Sequence, residues 1–483
     1  MKKIMILFLV LLLSGCTITV PSLKNDDNIN TPSNNEENNQ TPIIPTGPIV
    51  ETQPQVPNTP VDETSIVGSD NDLLRINIYT NDNSTPTVLG VYHEGYINIT
   101  EQDNSKVIKN DMTMNIKVRG NSTSAPDKKP YKIKFDKAQS LYGLPEAKDW
   151  VLLANYFDKT NIRNYLAYKL ANKLDNLDFQ PSYIFVDVYL NGNYQGMYML
   201  TEQIEANVGR VDIENNKNSN GISSFLLEAD TRAVDEYSGY ENKCYFNIGD
   251  YNIRMKYPSA DDYLQALEQN DTVFKKEYEK NMLWVRTFMS NANNALLSND
   301  YKQIEKYFDV DSFIDYYIVQ EFFKNVDVGS NSQYYVIDQN DKEVKIKCGP
   351  VWDFDISSGV VDNSVSNIYT TYANTELYVK YVDHFYYMLL NNKSFTEKVK
   401  TRYEEIRPLL LETIDEIDIL KKDLAKAQNR NINKWVLPKD RTCWIEQYAI
   451  SKTYYKITDL DGHYKHLYNT LNERLSILDK YYK

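Results

Sequence analysis

Apolar and polar residues alternate through the first part of the chain. Leu74, Ile76 and Ile78 are separated by polar positions, and Met112, Met114, Ile116 and Val118 repeat the pattern. Tyr96, Ile97 and Ile99 follow it less strictly. A period of two puts successive side chains on opposite faces of a strand, so these segments predict strands half-covered by a core. Tyr131, Ile133 and Phe135 form the apolar face of a further strand, with Lys132 and Lys134 on the other face. Ile162, Leu166, Leu170 and Leu174 then recur at helical spacing and predict a helix over 161–175. Strands are predicted over Tyr183–Leu190 and Gly196–Ile204. The Asn191-Gly192 pair between them suits the positive φ angles of a tight hairpin.

After residue 260 the period changes to that of helices, over 261–297, 311–324 and most of 380–483. One hairpin interrupts them, with strands predicted over Gln333–Ile337 and Glu343–Lys347 around Asp338-Gln339-Asn340-Asp341. The whole pattern predicts an α+β fold. A β-rich N-terminal lobe (69–260) precedes a mainly helical C-terminal lobe (261–483), the two-lobed plan of a protein kinase. Plan alone does not establish function.

The N-terminus departs from this pattern. Lys2 and Lys3 precede an apolar run from Ile4 to Leu13, too short to span a bilayer but suited to the core of a signal peptide (residues 1–15). Leu13-Ser14-Gly15-Cys16 resembles the lipobox of bacterial lipoproteins, which predicts lipidation of Cys16. Residues 16–68 are rich in Asn, Pro and Thr and poor in aromatic residues. Such a segment buries too little apolar area to offset its ordering entropy, so a disordered tether is expected. The expected location is extracytoplasmic, anchored to the membrane at the cell surface.

Composition narrows the chemistry. The 483-residue chain is 42% apolar, enough for a large core, and its net charge of −14 argues against nucleic acid as a partner. The four histidines show no H-E-x-x-H spacing, and the four cysteines form no C-x-x-C pair. With Cys16 assigned to lipid, three cysteines remain, so no complete disulfide framework is implied.

Carboxylates flank the predicted hairpin. Asp327 lies just before its first strand and Asp353, in Trp352-Asp353-Phe354-Asp355, just after its second. A hairpin returns the chain to the edge it left, so residues 26 positions apart meet at one edge. Phosphoryl transfer needs such a pair: one carboxylate to accept the proton of the attacking hydroxyl, another to hold magnesium against the phosphates.

Several blocks stand in order along the chain: Arg119-Gly120-Asn121-Ser122 with Lys128-Lys129-Pro130-Tyr131-Lys132-Ile133-Lys134-Phe135, then Gly143–Asn155, Ile162–Ala167, Leu190–Glu202 and Trp352–Asp355. Together they resemble the signature of the CotH kinase family. The resemblance implies an atypical kinase fold that uses ATP and Mg2+ or Mn2+ to phosphorylate Ser or Thr of a protein substrate, such as surface or coat-like proteins. It assigns Asp327 as the catalytic residue and Asp353 as a metal ligand, with Asp355 beside it. The family's second ligand is an Asn five positions after the catalytic Asp. Here that position is Ser332, and Asn331 stands one place earlier, so both are carried as metal candidates. Lys132, Lys134, Arg119, Arg163, Glu202 and Trp352 are the candidates for contact with ATP. A catalytically inactive scaffold or adhesin is the alternative, and a carbohydrate-processing enzyme using paired carboxylates a more distant one.

Overall fold

The early alternation closes on itself. In the computed structural model, which describes residues 72–361, 376–435, 443, 446–447 and 449–483, seven strands form a closed barrel in the order β1-β2-β3-β4-β5-β7-β6. They are β1 (Leu74–Thr80), β2 (His93–Thr100), β3 (Val107–Val118), β4 (Tyr131–Gln139), β5 (Ala147–Leu153), β6 (Tyr183–Leu190) and β7 (Asn193–Glu202). Neighbours are antiparallel except β1 and β6, whose parallel pairing closes the barrel. The alternating residues fill its interior: Ile76, Ile78, Met114, Ile116, Ile133, Phe135 and Trp150 are buried there. Asn191 and Gly192 take positive φ at the β6–β7 turn, as their types predict. The predicted signal peptide, the tether and Cys16 lie outside the described residues.

Strands β5, β6 and β7 are covered on both sides. Their outer faces (Val151, Leu153, Phe185, Met197, Met199) pack into the main core with helix α1 (Arg163–Asn172). α1 is buried along most of its length, which places it between the barrel and the helices that follow.

A second sheet, in the order β12-β11-β8-β10-β9, was only partly foreseen. Its strands are β8 (Phe225–Ala229), β9 (Tyr245–Ile248), β10 (Tyr251–Tyr257), β11 (Gln333–Ile337) and β12 (Lys347–Cys348). The predicted hairpin exists, but its return strand is Lys347–Cys348 and not Glu343–Lys347. The cause lies next to it: Ile346 bridges Phe308 instead of β11, so pairing with β11 starts one residue later. The hairpin is also not isolated. β11 pairs along its length with β8, so the sheet joins strands from both sides of residue 260.

The remaining elements are mainly helical: α2 (Ala233–Glu236), α3 (Ala260–Glu268), α4 (Thr272–Ser298), α5 (Tyr301–Tyr307), α6 (Val310–Phe323), α7 (Val379–Val382), α8 (His384–Leu389), α9 (Lys393–Asp423), α10 (Ala425–Lys434), α11 (Lys452–Tyr455) and α12 (Leu460–Tyr482). The stretch predicted as helical over 261–297 is two helices. Asp271 separates them and caps α4 by accepting from the Val273 and Phe274 N–H groups (3.1 and 3.0 Å). α6 is buried on all sides and carries the chain to Asp327. No described helix is long and apolar enough to cross a membrane. Cys244 and Cys348 are buried free thiols.

Candidate active site

Pairing of β11 with β8 decides what meets at the site. Gln333, the first residue of β11, faces Ala229, the last of β8. The loop before β11 (Asp327–Ser332) therefore lies beside the loop after β8 (Asp230–Arg232), and the Thr231 N–H donates to the Ser330 carbonyl (3.0 Å). The segment after β12 brings Asp353 and Asp355 to the same edge. The ends of β3 and β5 add Arg119 and Asn155. These elements surround a cleft of about 360 Å³.

Asp327 opens a tight turn. Its carbonyl accepts from the Ser330 and Asn331 N–H groups (3.1 and 3.0 Å), and its own N–H donates to Asn325 Oδ1 (3.2 Å). Gly329 takes φ +80°, and a Cβ there would lie 2.6 Å from the Val382 carbonyl oxygen and 2.8 Å from Asp383 Cα. Only glycine lets the loop pack this closely against the α7–α8 junction. Ser332 and Asp353 both hold positive φ (55° and 65°), conformations that non-glycine residues keep where the surroundings enforce them.

Three buried carboxyls share the cleft, and all three are raised. Burial pushes Asp327 up to about 7, Asp353 adds to the rise, and Arg232 opposes it. Burial also raises Asp353, against the pull of Arg119 and Arg232 and of hydrogen bonds from Ser332 and Asp355. Asp355 is pushed well above the usual carboxylate range by burial and then by Asp353. Confined like charges of this kind favour a bound cation or a proton.

Among the described residues, no three His, Cys, Asp or Glu side chains are grouped so as to hold a metal by themselves. A magnesium bound together with phosphates needs only one or two carboxylates, and Asp353 and Asp355 fit that requirement. Of the other metal candidates, Ser332 hydrogen-bonds Asp353. Asn331 Oδ1 accepts from Thr231 Oγ1 and N–H (2.8 and 3.2 Å), while its Nδ2 donates to Ser330 Oγ (3.2 Å).

The ATP candidates divide. Arg119 and Trp352 line the cleft. Trp352 is buried, stacks on Tyr168 at 5.7 Å, and has the Arg119 guanidinium over it at 5.8 Å. Lys132, Lys134, Arg163 and Glu202 are not among the residues lining the cleft. Lys132 pairs with Asp149 (3.2 Å) and Lys134 is exposed, because the polar face of β4 is the outside of the barrel. Glu202 accepts from the Ser182 N–H (2.9 Å) and faces Arg210 at 3.7 Å. Arg163 is fully buried against Asp158.

The cleft draws its other cations from the second sheet, where sequence reasoning did not look. Arg232 binds Asp230 through Nε (2.8 Å) and Nη2 (3.2 Å). Arg254 bonds Glu236 (2.8 Å) and Tyr237 (3.1 Å), and Lys256 lies 3.6 Å from Glu228. Arg254 and Lys256 alternate with buried Ile253 and Met255 on β10 as Lys132 and Lys134 alternate with buried residues on β4. The pattern is identical, so no local signal distinguishes the cleft-facing pair.

Comparison with known sequences decides the family. Residues 116–478 match the family described as CotH kinase protein, a span that contains every residue of the cleft named above. The chain belongs to the CotH kinase family. No curated protein matches it. CotH membership makes this a kinase-like protein, and the matched span runs from the end of β3 through the second sheet and into α12.

Proposed function

We propose that this CotH-family protein transfers the γ-phosphate of ATP to a Ser or Thr hydroxyl of a protein. The observation that carries the reading is one cleft in which Asp327, Asp353 and Asp355 meet Arg119 and Arg232. A β-rich N-terminal region followed by a helical one is compatible with a two-lobed kinase.

Asp327 is the base. Its raised value keeps it near neutrality, where it accepts the hydroxyl proton as the acceptor oxygen attacks phosphorus and the bond to the ADP oxygen breaks. Asp353 and Asp355 would hold the divalent cation. When bound, that ion neutralises charge on the β- and γ-phosphates. Arg119 and Arg232 offer charge-assisted hydrogen bonds to the phosphates.

The test incubates the full-length chain with labelled ATP, Mg2+ or Mn2+ and a serine-rich acceptor, beside Asp327→Ala and Asp353→Ala. Label reaching the acceptor with the parent chain and lost in both variants supports the reading. Label that survives both substitutions removes these residues from their roles. A second reading, an inactive scaffold, is favoured by one observation: Ser332, at the family's second-ligand position, is engaged with Asp353. No transfer, together with no rise in melting temperature on adding nucleotide, would select it. We also infer that Cys16 is lipidated and that a tether holds the protein at the outer face of a membrane.

A further inference from the structure

The first turn of α1 grips the acidic segment at both ends. Asn164, only 2% exposed, accepts the Phe354 N–H through Oδ1 (2.7 Å) and donates through Nδ2 to Asn155 Oδ1 (2.9 Å). Phe354 lies between Asp353 and Asp355, so this bond fixes the Asp353–Phe354 peptide, the first of the two that separate the carboxylates. Its neighbour Arg163, with no exposed surface, donates Nε to the Ser357 carbonyl (3.2 Å) and Nη2 to the Ser358 carbonyl (3.3 Å).

Asp158 prepares this grip. It accepts from the Arg163 N–H (2.8 Å), the Thr160 N–H (3.0 Å) and the Arg163 guanidinium, which balances the buried charge. Asn155 completes the arrangement. It holds φ +47° at the end of β5, and its Nδ2 donates to the Asn161 carbonyl (3.2 Å). Each amide of the Asn155–Asn164 pair thus has one donor and one acceptor engaged, and both orientations are set by their partners.

We propose that Asn164 and Arg163 are positioning residues that set the separation of Asp353 and Asp355 for a divalent cation. The reasoning is geometric. Asp353 is held at φ +65°, a left-handed conformation that still costs a non-glycine residue and that contacts from its surroundings stabilise. The Phe354 N–H is the first backbone donor after that residue, and Asn164 is the partner it has. Hydrogen-bonded groups behind metal-binding carboxylates govern ligand orientation, and their loss costs about 10–100-fold in metal affinity. This inference rests on the metal reading of the site, but it assigns roles to residues that reading does not use. Arg163, a candidate for ATP contact from the sequence, acts here through the protein backbone.

The experiment titrates the full-length chain with Mn2+ alone, following the free-ion electron paramagnetic resonance signal, and records metal-free melting curves of each variant. Asn164→Ala removes both bonds. Asn155→Gly suits the positive φ and removes the partner that orients Asn164, together with the bond to the Asn161 carbonyl, while leaving the Asn164–Phe354 bond in place. Arg163→Lys keeps the charge and loses the fork. The expected result is a 10–100-fold weaker Mn2+ affinity in Asn164→Ala and Arg163→Lys, and a smaller loss in Asn155→Gly, all with cooperative metal-free unfolding. Parent-like Mn2+ affinity in the folded variants overturns the positioning role. If Asn164→Ala fails to fold, parent-like affinity in Asn155→Gly overturns it equally. A parent chain that binds no Mn2+ instead removes the metal reading itself, together with the inference built on it.

Discussion

Burying a carboxylate beside a second one places unfavourable charge in the native state. Asp327 shows both consequences. Its folded value, about 7, stands above that of an unfolded Asp, so the group favours the folded state at low pH and that contribution is lost as pH rises through about 7. Asp327→Asn, which mimics the protonated form, is expected to raise the melting temperature, and by more at pH 8 than at pH 5. The same substitution is expected to lower phosphate transfer by about 10²–10⁴-fold, the usual contribution of a general base. In the parent chain kcat/KM should rise with pH to a plateau above about 7. Arg119 and Lys132 provide a paired test. Arg119→Ala is expected to raise the KM for ATP by about 10–100-fold, the loss of one bond to a charged group. Lys132→Ala, on the outside of the barrel, is expected to leave that KM unchanged. These two cations look alike in the sequence. What separates them is the closure of the sheet into a barrel, a tertiary event with no local signature.

At the scale of elements, the turn that begins at Asp327 is braced from two directions. Gly329 packs against the backbone of Val382 and Asp383, with no room for a Cβ. Gly329→Ala is expected to destabilise the protein by about 1–3 kcal/mol and to lower transfer, checked by denaturant unfolding beside the assay. α6, which delivers the turn, is fastened to α12 by the buried Arg474–Glu321 pair, and Glu321 also accepts the Tyr378 and Val379 N–H groups (2.7 and 2.8 Å). Arg474→Met leaves a buried carboxylate without its cation and should cost about 3–5 kcal/mol; adding Glu321→Gln should recover part of that loss. The strands that alternate cleanly (β1, β3 and β4) were legible because each has one face in the core and one outside. β8 was not, because Phe225–Ala229 is buried throughout and too short for its pattern to separate strand from helix. The pairing of Asp327 with Asp353 was legible because a hairpin constrains its own ends. Arg232 was not, since its place depends on β8 finding β11 more than a hundred residues later.

For the whole molecule, the N-terminal address and the folded part make separate statements. Partitioning between detergent and water tests the first. Full-length protein from cells is expected in the detergent phase, and Cys16→Ala is expected to move it to the aqueous phase. Parent protein found in water would remove the lipid anchor. The net charge of −14 favours dispersal in solution and disfavours contact with anionic partners.

The second sheet also orders events in time. The cleft needs Arg119 from β3, Asn164 from α1, Arg232 after β8 and Asp353 after β12, and α6 is secured only when Arg474 arrives from the last helix. During synthesis, an emerging chain that has not yet released α12 therefore lacks the brace behind Asp327. A polypeptide threaded through a membrane in extended form would carry no assembled site on the side it leaves, and would first acquire one where it folds.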